Sequence, residues 1–154
     1  MTTAEKTIDA PREAVWAALV NVQTYPRWLV GAVRIRSVDE DWPMPGSAFH
    51  HEVGLGGPLT IADRTCSVAI DPPRRLELDV RARPLIQATV VFELEDLGER
   101  TRVVMTEHPH GVHRLVSPIA APLVRLRNEA SLRQLDERVR AAAGGPTGGR
   151  PSSA

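Results

Sequence analysis

Period-two alternation runs through the middle of the chain. Leu76, Leu78 and Val80 alternate with Glu77, Asp79 and Arg81, which puts the apolar set on one face of a strand. The same spacing links Phe49, His51, Val53 and Leu55, then Ala88, Val90, Phe92 and Leu94, then Val103, Met105 and Glu107. Val33 and Ile35 alternate with Arg34 and Arg36 and predict another half-buried strand. Residues 59–70 read as a strand whose alternation fails at Ala62, Asp63 and Arg64, where a bulge would account for the lost pattern. Residues 2–9 alternate weakly, as an edge strand does. Turn chemistry separates these runs at Trp42-Pro43-Met44-Pro45-Gly46, at Gly54 to Pro58, at Asp71-Pro72-Pro73 and at Leu97-Gly98-Glu99.

Helical spacing appears at the two ends of the chain. Asp9 is placed to cap a short helix, Pro11 suits its first turn, and Ala14, Val15, Ala18 and Leu19 make its buried stripe before Asn21. A second short helix is expected around Tyr25-Pro26-Arg27-Trp28. Residues 109–122 carry three prolines and a glycine and read as an irregular segment across the mouth of the fold. A long helix then closes the domain from Val124 to Val139, with Val124, Leu132, Leu135 and Val139 on one stripe and Asn128 in its middle. The Gly, Pro and Ser of residues 144–154 offer nothing to bury, so the folded domain is expected over 1–143 with a flexible tail behind it. One strand, two short helices, a run of strands and a final helix describe an α+β protein. A curved sheet around one long helix easily leaves a hollow.

The run from Thr7 to Leu19, with Ala10-Pro11-Arg12-Glu13-Ala14-Val15-Trp16 at its centre, resembles the opening of the START-like (SRPBCC) superfamily, most closely its polyketide cyclase/dehydrase-like branch. Tyr25-Pro26-Arg27-Trp28 resembles that family's second-helix signature, and Gly98-Glu99-Arg100-Thr101-Arg102-Val103 its late hairpin. The resemblance covers roughly residues 3 to 140. With the order of elements, it implies a helix-grip fold: an antiparallel curved sheet of about seven strands around the C-terminal helix. It also implies that the second helix borders a cavity entrance, which adds Trp28 to the ligand-facing residues. It does not choose among activities, since one fold hosts many.

Composition narrows the partners. The 154 residues are 42% hydrophobic and 25% charged with a formal net charge of zero, so nothing favours nucleic acid or an anionic membrane surface. Cys66 is alone, which precludes an internal disulfide and agrees with a reducing, cytoplasmic setting. No apolar run approaches the ~20 residues of a membrane span, and no signal peptide is evident. No Gly-rich phosphate loop, nucleophile elbow or metalloprotease motif is present, and no cofactor is expected.

A few side chains could carry chemistry. Glu107 points inward if the alternation of its strand holds; it is either a proton donor and acceptor or the partner of an Arg, with Arg127 the first candidate. His51 is a core histidine or a cavity hydrogen-bonding group. Asn128 bonds the backbone of the preceding loop or contacts a ligand. His108, His110 and His113 cluster, but Pro109 and Gly111 interrupt them and no second ligand group completes a tetrahedral set, so no metal is expected. Cys66 reads as a small buried hydrophobe, and Trp42 as an anchor on a surface turn.

These residues suggest a hydrophobic small-molecule ligand, lipid- or polyketide-like. Phe49, Val53, Leu78, Val90, Phe92, Met105 and Leu132 would form the walls, and His51, Glu107 and Asn128 would orient the ligand. A cyclase or dehydratase using Glu107 or His51 is the alternative that the resemblance implies. A protein- or membrane-interaction module is a third, and it needs an exposed apolar patch that the strand alternation does not advertise.

Overall fold

The computed structural model describes residues 1–56, 58–82, 86–111 and 113–144. Its strands are β1 (Thr2–Ile8), β2 (Ala32–Val38), β3 (Ala48–Gly56), β4 (Leu59–Asp71), β5 (Arg75–Ala82), β6 (Ile86–Asp96) and β7 (Thr101–Pro109). They form one antiparallel sheet in the order β1-β7-β6-β5-β4-β3-β2. From β2 to β7 each strand pairs with the next in sequence, and β1 closes the other edge against β7 with Ala4 opposite Met105. Gly98 takes a positive φ of 86° in the β6–β7 turn, a conformation that glycine adopts without a Cβ penalty.

Three helices cover this curved sheet, which has the helix-grip layout. They are α1 (Arg12–Val20), α2 (Tyr25–Trp28) and α3 (His113–Ala143), with a single 3-10 turn over Val22–Thr24 between the first two. α3 packs on β1 and β7 and is met from the other side by α1 and α2. Ile8, Leu19, Trp28, Leu76, Leu132 and Leu135 are fully buried at these junctions. Tyr25 stands edge-on to Trp28 and Phe49 at 4.8 and 5.3 Å, so α2 is fixed to the sheet by aromatic geometry as well as by buried area. The Val30 N–H donates to Ser131 Oγ (3.0 Å), which ties the segment after α2 to α3.

Several expectations are corrected. α3 begins at His113, so the segment read as irregular is largely helix; Pro118 and Pro122 lie inside it, four residues apart and both exposed, so the missing N–H groups fall on the solvent side. Asp9 makes no cap: Pro11 holds the N-cap position without a side-chain bond, and Asp9 lies 3.6 Å from Arg140 instead. Ala14 is exposed, and the buried stripe of α1 is Val15 and Leu19. β2 is irregular at two points, so Ala32, Ile35 and Val38 turn inward at a period of three while Val33 is exposed. In β4 the irregularity lies between Ser67 and Ala69, not at Ala62 to Arg64.

The faces of β4 are reversed relative to simple hydrophobic patterning. Asp63, Thr65 and Ser67 are buried, Val68 is exposed, and Cys66 is only partly buried. Trp42 is also more than a surface anchor: its Nε1 donates to Val20 O (2.8 Å) and its ring meets Phe49 edge-on. His108 is a strand residue of β7 opposite Thr89 rather than a loop histidine. Ile119, Leu123 and Leu126 form an exposed apolar stripe on α3, a patch that strand alternation did not reveal. The expected tail lies outside the described residues beyond Gly144. Among the described residues, no helix is long and apolar enough to cross a membrane.

Candidate functional site

A cavity opens between the inner face of the sheet, the segment after α2 and α3. Period-two geometry brings its walls together. β3 contributes Phe49, His51 and Val53, β5 contributes Leu78 and Val80, β6 contributes Ala88, Val90 and Phe92, and β7 contributes Met105 and Glu107. Tyr25, Leu29 and Val30 close one side, and Arg127 enters from α3. The space open to the centre of a water molecule is about 90 Å³. Since ~10–15 Å³ of such space already holds one water, there is room for several waters or a single small ring.

Eight of the residues expected at a ligand site therefore meet around one hollow: Phe49, His51, Val53, Leu78, Val90, Phe92, Met105 and Glu107. Trp28, Asn128 and Leu132 lie outside its wall. All three have no exposed surface and pack between α2, α3 and the sheet. Trp28 packs edge-on against Tyr25 and Phe92, two residues of the wall, and so lies behind it.

The polar group on β7 is closed on itself. Arg127 Nη2 donates to Glu107 Oε2, and the Asn128 amide donates to the same oxygen at 3.2 Å. Arg127 also donates to Asn128 Oδ1, from Nε at 3.2 Å and from Nη2 at 3.0 Å. Among the described residues, the Asn128 side chain bonds Glu107 and Arg127 rather than the backbone of the preceding loop. It positions the ion pair between β7 and α3.

A second polar group lies on β3 and β4, and half of it was not expected. His51 faces Asp63 directly across the two strands, with Nε2 3.2 Å from Asp63 Oδ2. Both side chains are almost fully buried, and both line the cavity. Asp63 Oδ1 accepts the Arg81 N–H at 3.1 Å, which fixes the carboxylate. Burial lifts the Asp63 carboxyl to about 6, against the opposing pull of the Arg81 and Arg64 backbone N–H groups. Burial presses the His51 imidazole down to about 4, helped by the charge of His50. At neutral pH the imidazole is then uncharged and the carboxylate ionised. The imidazole has a second ring nitrogen, Nδ1.

That nitrogen has no partner. Among the described residues, Arg12 Nε, Trp28 Nε1 and His51 Nδ1 are buried side-chain nitrogens without a hydrogen bond, and of these only His51 belongs to a cavity-lining residue. The same His51 and Asp63 also border a shallow depression with Arg36, Ser37, His50 and Ala62, where β2 is irregular opposite His50 and His51. The pair thus borders two hollows. Sequence alternation found His51. It missed Asp63, because an acidic residue in an ambiguous strand carries no signal until its cross-strand partner is known.

Comparison with known proteins follows this geometry. The family described as Polyketide cyclase / dehydrase and lipid transport matches residues 1–140. Protein CV1439 from Chromobacterium violaceum superimposes with a TM-score of 0.71 at 19% identity, covering 90% of this chain and 98% of that one. The Zhui aromatase/cyclase from Streptomyces sp. R1128 gives 0.68 at 18% identity, over 94% and 98% of the two chains. TTHA0849 from Thermus thermophilus gives 0.65 at 19% identity, over 93% and 99%. These identities establish a shared fold. No curated protein matches the chain in sequence.

Proposed function

The chain belongs to the family of polyketide cyclases/dehydrases and lipid-transport proteins, and we propose that it binds an apolar or aromatic small molecule in the cavity between sheet and α3. One observation carries this reading: apolar side chains from β3, β5, β6 and β7 line one hollow, with the polar side chains of His51 and Asp63 in the same wall. Mainly apolar walls with a few convergent polar groups are what a small-molecule site presents. The hollow suits a single ring as it stands. A larger lipid- or polyketide-like ligand requires its wall to open. A cytoplasmic place fits the lone Cys66, and neither a metal nor a cofactor enters this reading.

A cyclase or dehydratase is the second reading, and a different feature of the same pair favours it. Glu107 is committed to Arg127 and Asn128, so it is not a free acid. His51 lies in the cavity wall 3.2 Å from the Asp63 carboxylate, and an imidazole beside a carboxylate is the pairing from which general acid–base groups are built.

The chain has three methionines, Met1, Met44 and Met105, which makes a direct test possible. Met105 lines the hollow, while Met1 and Met44 are exposed. With methyl-13C methionine, toluene is expected to shift the Met105 resonance saturably and leave the other two in place. Equal small shifts at all three would count against a site in the cavity. Native mass spectrometry of the purified protein then looks for a retained small molecule.

A further inference from the structure

We propose that the ion pair of Glu107 and Arg127 also holds the polar end of the ligand, and that this end carries a hydrogen-bond donor beside a carbonyl oxygen, as an amide does. The inference rests on the binding reading above and names the chemistry of its ligand.

The network of Glu107, Arg127 and Asn128 does not use every atom of its members. A guanidinium and a carboxylate commonly meet through two parallel hydrogen bonds. Here Asn128 takes part of each ion instead. Its Oδ1 accepts from Arg127 Nε and Nη2, and its amide donates to Glu107 Oε2, which also accepts from Arg127 Nη2. Glu107 Oε1 and Arg127 Nη1 are left with no partner among the described residues. Neither is sealed in, since the buried side-chain atoms without partners are Arg12 Nε, Trp28 Nε1 and His51 Nδ1. Both residues line the hollow, where Glu107 keeps only 8% of its surface.

Covalent geometry brings the two spare atoms together. Oε1 shares its carbon with Oε2. The guanidinium is planar and its hydrogens leave in fixed directions. Its Nε and Nη2 edge is turned to Asn128, so the hydrogen that Nη2 gives to Oε2 leaves from the next edge, parallel to one hydrogen of Nη1. A donor and an acceptor thus flank Oε2 beside a mainly apolar hollow. A ligand amide matches both, its carbonyl accepting from Nη1 and its N–H donating to Oε1, each bond strengthened by the charge of the protein group. A ligand carboxylate matches less well: it adds a negative charge to a wall that already has Asp63 and Glu107 against Arg127. A ligand that only accepts leaves Oε1 to confined water.

Glu107→Gln converts the acceptor into a donor. The two donors at Oε2 hold the oxygen of the new side chain in that place, so its NH2 replaces Oε1.

The probes are toluene, benzaldehyde and benzamide, single rings titrated against the Met105 methyl resonance. The wild-type protein is expected to bind benzamide roughly tenfold more tightly than benzaldehyde. Glu107→Gln is expected to abolish or reverse that preference. A wild-type protein that binds toluene but does not prefer benzamide overturns the inference and leaves the binding reading standing. A preference that survives Glu107→Gln overturns it as well, because the acceptor would then lie elsewhere. If no probe reaches Met105, the binding reading falls and this inference falls with it. Should Glu107→Gln fail to fold, the guanidinium 15N resonances of wild-type Arg127 decide: benzamide is expected to shift Nη1 and toluene to leave it in place, and an Nη1 signal indifferent to benzamide overturns the inference.

Discussion

The cavity has two polar groups built on opposite rules. On β7 and α3, Glu107, Arg127 and Asn128 bond one another across two elements. On β3 and β4, toward the other edge of the sheet, His51 Nε2 lies 3.2 Å from Asp63 Oδ2 and His51 Nδ1 is buried with no partner among the described residues. The first arrangement spends its hydrogen bonds on joining helix to sheet. The second holds a buried nitrogen unsatisfied, at a cost that a folded protein usually avoids. Glu107 has the side chain that first suggests an acid, and its surroundings make it a strut. His51 looks like an ordinary core histidine, and its surroundings leave one of its nitrogens without a partner among the described residues. Partners, not residue types, separate the two groups.

The largest effect that distinguishes the two groups is on stability. Glu107→Ala removes the acceptor on which Arg127 and Asn128 converge, and Asn128 has no exposed surface through which water could replace it. Breaking a fully buried ion pair costs about 3–5 kcal/mol, and the Arg127 side chain is 34% exposed, so the expected loss is about 2–3 kcal/mol. Urea denaturation measures it. A loss below about 1 kcal/mol would show that β7 and α3 do not depend on this network.

The closed group was legible in the sequence and the open one only in part. Val103, Met105 and Glu107 alternate on β7, and Arg127 lies on the last helix beside a stripe position, so both halves of the pair were visible. His51 was visible in the same way beside Phe49 and Val53. Asp63 was not, because the inner face of β4 carries Asp63, Thr65 and Ser67 while Val68 faces out. A strand that lines a polar part of a cavity inverts the rule that reads apolar residues as buried. The start of α3 was hidden for another reason. Proline is read as a helix breaker, but Pro118 and Pro122 share the exposed side of the helix. The antiparallel sheet and the long helix followed from element order, since hairpin neighbours pair with one another, while the pairing of β1 with β7 did not.

The second effect is on the pH dependence of stability. His51 is depressed by burial and His50, and Asp63 is raised by burial and Asp79 against the Arg81 and Arg64 backbone N–H groups and the charge of His50; neither shift draws on the other member of the pair. A depressed histidine binds its proton less tightly when folded, so stability is lost as pH falls from about 6.5 toward about 4. A raised carboxyl binds its proton more tightly when folded, so stability is gained as pH falls from about 6 toward about 4. In the wild-type protein these slopes oppose each other and largely cancel. Asp63→Asn leaves the histidine alone and should lose about 2 kcal/mol relative to wild type between pH 7 and 4.5. His51→Gln leaves the carboxyl alone and should gain a similar amount over that window. Urea midpoints at the two pH values test this. Slopes of the same sign in the two variants would mean that the pair does not carry these opposed shifts.

The smallest effect is the most telling. His51→Leu with Asp63→Val removes the entire open pair and replaces it with apolar side chains that suit a strand. The exchange loses the close approach of His51 to Asp63 and the acceptor for the Arg81 N–H. It also removes a buried carboxylate and an unsatisfied nitrogen, and it adds apolar area beside a hollow with space to receive it. Replacing a buried charged pair by apolar residues of similar volume is often neutral or stabilising. The double variant is therefore expected within about 1 kcal/mol of wild type in urea denaturation, against the larger loss for Glu107→Ala. Unchanged stability would mark the pair as something the fold does not need. A loss of more than about 3 kcal/mol would make His51 and Asp63 a strut like Glu107 and Arg127, and the distinction between the two groups would collapse.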